Sequence, residues 1–298
     1  MKSHATAEKI FVRDRYTLIL RSARALRISI EPRPAYVVVL LLRGELNFGT
    51  PELKPPAALL AAPGDTLEAR GRDAETLTLT LAPAFLLDAA VRARLTRDDA
   101  LITFRPPAVT NDARLAEVAR SLAAELRDED AGHEIVLDAL VEQLVVNLLR
   151  RHANISRRDE LELSRVGLVD RRVRRAVELM HARLDRELPL EELAAAAYLS
   201  PFHFARLFKK ATGASPHAYL AALRIERAQQ LLASTDLSVT EIGSRVGYQS
   251  PSHFGKAFRR ATGLAPRAFR AGLVAPRTDA AGPPASDDDR PERANFRR

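Results

Sequence analysis

The chain opens with short apolar runs at residues 11–20, 26–30, 36–42, 45–48, 58–61 and 77–81. Several alternate with polar residues at a period of two or carry β-branched residues, as in Thr76-Leu77-Thr78-Leu79-Thr80. Turn formers stand between them, as in Glu31-Pro32-Arg33-Pro34, Arg43-Gly44 and Ala62-Pro63-Gly64-Asp65. Closely spaced short strands with such turns predict a small antiparallel barrel or sandwich rather than βαβ units.

From Asn111 the period lengthens. Asn111 or Asp112 can N-cap a helix carrying Leu115, Val118, Ala119, Leu122 and Leu126 at three- and four-residue spacing. A second helix follows with Ile135, Val136, Ala139, Leu140, Leu144, Val145, Leu148 and Leu149. Its apolar stripe is wider than one packing face needs, so it is expected to lie between sheet and first helix, to form a homodimer seam, or both. Residues 154–168 (NISRRDELELSRVGL) are polar and irregular and read as an interdomain linker. Helical patterns dominate from Asp170 to Leu273, and residues 276–298, rich in Pro and Asp, read as disordered.

A duplication lies within the helical segment. Residues 200–213 read SPFHFARLFKKATG and residues 250–263 read SPSHFGKAFRRATG, identical at eight of fourteen positions. Two more positions exchange Lys for Arg, at 209/259 and 210/260, and Pro216 and Pro266 keep the same offset. Each copy reads as helix–turn–helix. Leu190, Leu193, Ala194 and Ala197 face inward on the first helix of copy one, and Val239, Ile242, Gly243 and Val246 on that of copy two. Ser200-Pro201 and Ser250-Pro251 cap and start the second helices. Their buried stripes are Phe204, Leu207, Phe208 and Ala211, then Phe254, Ala257, Phe258 and Ala261. Ala194 and Gly243 stand where helices must approach closely. The second turn is one residue longer than the first. Residues 216–234 form one long amphipathic helix that fixes the separation of the copies. Adjacent major-groove faces on one side of B-DNA lie about 34 Å apart, so two rigidly joined units suit successive grooves.

Charge sharpens that picture. The net charge is +8, and residues 169–275 hold all of it, with 17 basic against nine acidic residues, while residues 1–153 balance 21 against 21. A localised basic field favours a polyanion, nucleic acid above all. With no Cys in 298 residues, a disulfide framework, a thiolate metal site and a cysteine nucleophile are excluded. No signal peptide or membrane span is read, and the expected location is the cytoplasm.

The segments SPFHFARLFKKATG, LRIERAQQLL and IGSRVGYQSPSHFGKAFRRATGLAPRAFR closely resemble the double helix–turn–helix domain of AraC/XylS-family bacterial transcription regulators. The match spans residues 170–272. That family often carries an N-terminal cupin-like sensing and dimerisation domain, and the β-rich front half suits this arrangement. The fold expected is α+β. A cupin-like, effector-binding barrel takes residues 1–110, a helical dimerisation hairpin 111–153, a linker 154–168, the DNA-binding domain 169–275 and a tail 276–298.

The resemblance implies base reading by Phe202, Ala205 and Arg206, and by Ser252, Gly255 and Lys256. Arg206 and Lys256 suit guanine acceptors, and Phe202 a thymine methyl. Lys209, Lys210, Arg259 and Arg260 are placed for phosphates. Phe202 could instead be a half-buried staple. His203 and His253 are expected to support the turns. Arg224 and Arg227 read equally as phosphate ligands or as salt-bridge partners of Glu226 and its neighbours.

No His lies between His4 and His133, so a His-rich cupin metal site, and with it a metal-dependent enzyme, is disfavoured. No catalytic residue and no cofactor is expected. The family implies a small-molecule effector for many members, and Arg13, Tyr16, Arg27, Arg33 and Tyr36 are candidates to bind an anionic one. Double-stranded DNA, RNA polymerase and a second copy of the chain complete the expected partners. The alternative is a DNA-binding regulator with no effector, in which the barrel serves only dimerisation.

Overall fold

The computed structural model describes residues 5–49, 52–96, 100–104, 107–157 and 160–274. Strands β1 (Ala5–Val12) and β2 (Tyr16–Ile30) pair antiparallel, with Arg13 donating its N–H to the Tyr16 carbonyl at 2.9 Å. The run expected over 11–20 is therefore two strands, because Arg13, Asp14 and Arg15 form a polar turn. β2 continues through the 26–30 run, since its intervening polar residues still pair with β5 (Leu67–Leu81). Strands β3 (Tyr36–Asn47) and β4 (Ala57–Ala61) follow β2 in sequence.

After β5 comes a helix that the alternation did not reveal, α1 (Pro83–Arg92), with Pro in its first turn and Phe85, Leu86, Ala89 and Ala90 buried. Then come β6 (Ala100–Phe104), β7 (Ala108–Thr110), α2 (Ala113–Asp128), α3 (His133–Arg151) and β8 (Ala153–Arg157). Six strands form one sheet in the order β1-β2-β5-β3-β4-β7, and β6 pairs with β8. Leu18 and Leu20 of β2 join the core against α1–α3, whereas Leu26, Ile28 and Ile30, of the same parity, join a second core with Val37, Val39, Leu59 and Leu67. The strand thus bends along its length. A bulge at Arg43 and the left-handed backbone of Asp73 absorb the change in the partner strands.

Asp112 is the N-cap of α2, accepting from the backbone N–H of Arg114 and Leu115 at 3.0 and 3.2 Å. It also meets His152 Nε2 at 2.7 Å and Arg151 Nε at 3.3 Å, so one buried carboxylate ties the start of α2 to the end of α3. Burial acts to raise the Asp112 pKa. The His152 hydrogen bond, the Leu115 N–H and Arg151 outweigh it and hold the carboxyl below its usual range. The wide stripe of α3 divides: Leu137, Val141, Leu144, Val145 and Leu148 are buried against sheet and α2, and Ile135 and Val136 are exposed.

The stretch expected as a linker holds the end of β8 and the beginning of α4 (Glu160–Ala182). Backbone pairing of Ile155 with Ile102 gives the polar strand a partner that periodicity alone does not show. Then follow α5 (Leu190–Ala196), α6 (Pro201–Thr212), α7 (Pro216–Ser234), α8 (Val239–Arg245), α9 (Pro251–Thr262) and α10 (Pro266–Ala271). The 276–298 tail lies outside the described residues. Among the described residues, no helix is long and apolar enough to cross a membrane.

Candidate nucleic-acid interface

Each repeat folds as a short helix, a tight turn and a longer second helix, and the pairing of backbone groups gives the equivalences. Ala197 N–H bonds to Leu193 and Leu199 N–H to Ala194, just as Val246 bonds to Ile242 and Tyr248 to Gly243. Tyr198 therefore corresponds to Gly247, Leu199 to Tyr248, and Gln249 is the extra residue of the second turn. Both Tyr198 and Gly247 take the left-handed conformation, at φ 54° and 84°.

Phe204 and Phe208 anchor α6, and Phe254 and Phe258 anchor α9, all fully buried. Phe208 meets Tyr219 edge-on and Phe258 meets Phe269 edge-on, each pair with ring centroids 5.2 Å apart. A Cβ on Gly243 would come within 3.1 Å of the Phe254 ring, which confirms the close approach expected there. Ala211, expected in the buried stripe, is exposed at the end of α6. Ser250 caps α9 by accepting from His253 N–H, but the Ser200 hydroxyl meets the His203 ring at 3.1 Å and caps no backbone group. His253 packs on Tyr248 with centroids 5.5 Å apart. Both histidines thus lie against their turns.

On the outer faces, Arg206, Lys209 and Lys210 of α6 are exposed, as are Ser252, Lys256, Arg259 and Arg260 of α9. Phe202 is 75% exposed and so is no buried staple. Ala205 and Gly255 sit half-buried within these faces, and a Cβ on Gly255 would meet nothing within 4 Å.

The two arginines of α7 are held differently. Arg224 donates to the carbonyls of Leu184 at 3.0 Å and Arg186 at 2.7 Å, and lies over the Tyr248 ring at 5.7 Å. It staples the second turn to the loop after α4, and burial lowers its pKa. Arg227 bonds to Gln230 at 3.0 Å. Neither forms an ion pair with Glu226 among the described contacts.

Sequence reasoning did not foresee how the β-domain holds the second unit. Ile10 and Ile19 are part of the same core as Phe254, Phe258 and Phe269. Ile10 N–H donates to Gly272 at 2.7 Å and its carbonyl accepts from Val274 N–H at 2.9 Å, so the chain after α10 adds to the free edge of β1. Arg260 pairs with Glu31, and Arg33 donates to the Ala261 carbonyl at 2.8 Å. The single signal was Ile10 and Ile19, apolar on the β1–β2 face away from the helix-side core.

Between the two domains opens a cleft of about 1690 Å³, lined by Arg13, Tyr16, Arg27 and Arg33 on one side and by Arg224, Lys256 and Arg259 on the other. Four of the five residues expected to bind an effector thus lie along this cleft. Arg13 bonds Glu134 at 2.6 Å, the Tyr16 hydroxyl donates to Asp138, and Arg27 is exposed opposite Glu68 at 4.0 Å. Burial and the Asp138 carboxylate raise the Tyr16 pKa. Tyr36 is elsewhere, buried in the helix-side core with its hydroxyl on the Ile102 carbonyl at 2.8 Å and its pKa pushed up to about 12 by burial. The β-domain interior is packed with aliphatic side chains. Thr76 is among the residues lining the cleft, and its hydroxyl is buried without a hydrogen-bond partner. Among the described residues no cluster of His, Asp and Glu could hold a metal ion.

The antiparallel β-domain thus carries paired helix–turn–helix units with basic second helices. Comparison agrees: residues 193–272 match the helix-turn-helix domain family and residues 8–154 match the cupin family. Over its helix–turn–helix segment the chain is similar to transcription regulators of the AraC type. It is 47% identical over 70 residues to the MmsAB operon regulatory protein of Pseudomonas aeruginosa, a stretch covering 24% of this chain and 22% of that one. It is 34% identical over 135 residues to the regulator MtrA of Neisseria gonorrhoeae, covering 45% and 44% of the two chains. These matches span less than half of each relative. The crystal structure of ToxT from Vibrio cholerae superposes with a TM-score of 0.55 over 88% of this chain and 99% of that one, at 11% identity, and so shares the fold.

Proposed function

We propose that the chain binds double-stranded DNA sequence-specifically, with α6 and α9 in successive major grooves, and regulates transcription. The observation that carries this reading is the duplicated unit with two exposed basic faces, joined by α7. That helix has 19 residues, which at 1.5 Å per residue makes it about 28 Å long, comparable with the ~34 Å between successive grooves. Arg206 and Lys256 supply base contacts with Phe202, Ala205, Ser252 and Gly255 around them. Lys209, Lys210, Arg259 and Arg260 supply phosphate contacts.

A second copy of the chain docks through α3, where Ile135 is 76% and Val136 43% exposed beside a buried stripe. A small anion acts as effector in the cationic interdomain cleft, in keeping with the unpartnered Thr76 hydroxyl and the filled β-domain interior. That filled interior equally suits the second reading, in which the β-domain only dimerises. A thermal-shift screen of small anions on the full chain separates the two. RNA polymerase is the downstream partner, the setting is the cytoplasm, and no catalytic step is involved.

The test is selection of duplexes from a random library by the full chain, followed by affinity measurement on selected and random DNA. Arg206→Ala is expected to relax base choice at one position at a cost of about 1–3 kcal/mol, and Lys210→Ala to weaken all sequences alike. Equal losses on both kinds of DNA in both variants would refute this division of roles.

A further inference from the structure

The repeat supplies its own control for the turn that precedes α6. At equivalent positions the second unit has Gly247 and the first has Tyr198, both left-handed. Glycine adopts that backbone freely, whereas a side chain is crowded there. In the second unit a side chain is also blocked, since a Cβ on Gly247 would lie 2.4 Å from the Leu184 carbonyl oxygen. A tyrosine in the first unit is therefore strained, and its ring does not recover the cost by burial, being 75% exposed. Strain that folding does not need marks a position held for another purpose.

The surroundings point to what that purpose is. The Arg175 guanidinium lies 5.2 Å over the Tyr198 ring. Arg175 precedes Leu193 by the same interval that separates Arg224 from Ile242, so the two arginines are repeat equivalents. Arg224 is consumed by two carbonyls and Tyr248 within the protein. Arg175 is exposed, and it stands with Arg171 and Arg174 on one stretch of α4. Tyr198 itself lies three residues ahead of Pro201, where α6 starts, and four ahead of the exposed Phe202. The basic, aromatic pair thus stands at the turn that leads into α6.

We propose that Arg175 and Tyr198 together grip the sugar–phosphate backbone beside the groove that α6 enters. The guanidinium and the phenol hydroxyl donate to phosphate oxygens, and the stack keeps both donors aimed. This grip is built into the first unit alone, and it rests on the DNA-binding reading above.

The experiment uses the full chain with Tyr198→Gly, which copies the sibling turn, and Arg175→Gln. Binding to a labelled random 30-base-pair duplex and to a selected duplex is followed by anisotropy over a salt series, alongside thermal melting. Each variant is expected to bind both duplexes roughly three- to tenfold more weakly. Arg175→Gln should flatten the slope of log K against log salt by about 0.9. Tyr198→Gly should melt at or above the wild-type temperature, because it removes the strain. Affinities within twofold of wild type overturn the proposal, as does a lowered melting temperature for Tyr198→Gly, which would make the ring a packing element. Should the wild type itself fail to bind either duplex, the DNA-binding reading falls, and this inference with it.

Discussion

If Arg260 reaches a DNA phosphate as proposed, its pair with Glu31 sets the β-domain in competition with DNA for that side chain, and Glu31→Gln measures the competition. The side chains are 72% and 37% exposed, so the pair belongs with solvent-screened contacts worth about 0.2–1 kcal/mol. If Arg260 must leave Glu31 to reach a phosphate, Glu31→Gln tightens binding to random duplex by about 1.4- to fivefold at low salt. The gain should shrink as salt rises. Arg260→Gln should weaken binding and flatten the salt slope by about 0.9, the share of one phosphate contact. Removing a carboxylate near DNA also helps in a general way, so the deciding variant is the double one. Glu31→Gln should do nothing in the Arg260→Gln background, a coupling that a double-mutant cycle isolates. An equal gain in both backgrounds would refute the competition and leave only diffuse charge.

Two further outcomes follow from the geometry. Gly255→Ala should stabilise the chain by about 0.5–1 kcal/mol in chemical denaturation, because Gly255 is inside α9 with open space at its Cβ position. Asp112→Ala should cost about 1–2 kcal/mol through loss of the α2 cap alone. Because the folded Asp112 carboxyl titrates below its unfolded value, its contribution is complete above the ordinary carboxylate range and fades as pH falls through the folded value. The wild type and Asp112→Ala should therefore converge in stability at strongly acidic pH, which denaturation curves across pH will check.

The repeat was legible because its chemistry is local. Ser-Pro starts, paired phenylalanines and glycine ends recur at fixed spacing, and Phe204, Phe208, Phe254 and Phe258 are indeed fully buried. Strand boundaries were less legible. The polar outer positions of β2 and the bulge at Arg43 interrupt the alternation without ending the strand. α1 was missed because ten residues following an alternating strand give a helical period little room. β8 was missed because its partner β6 is some fifty residues earlier. Arg224 shows a different limit: its two carbonyl acceptors are backbone groups, and backbone leaves no trace in side-chain pattern. Of the candidate effector residues, Arg13, Tyr16, Arg27 and Arg33 line an interdomain cleft that no single domain's pattern could show.

The two units, so alike in sequence, differ in how they are held. The second shares a core with the β-domain through Ile10 and Ile19 and is pinned by backbone pairing of Ile10 with Gly272 and Val274. The first has its own core around Phe204, Phe208 and Met180. Close-packed interiors transmit displacement with little loss. A shift of β1 or β2 therefore reaches α9 directly; the first unit is linked through α7 and the Arg224 staple and also abuts the β-domain turn, where Pro63 and Gly64 meet Gly213 at the end of α6. Since the cleft lies between β2 and the helices, a ligand that widened or closed it would change the spacing or tilt of α9 relative to α6. Groove spacing on a duplex is fixed, so if both helices engage one duplex as proposed, such a change would act on their joint engagement more than on either alone.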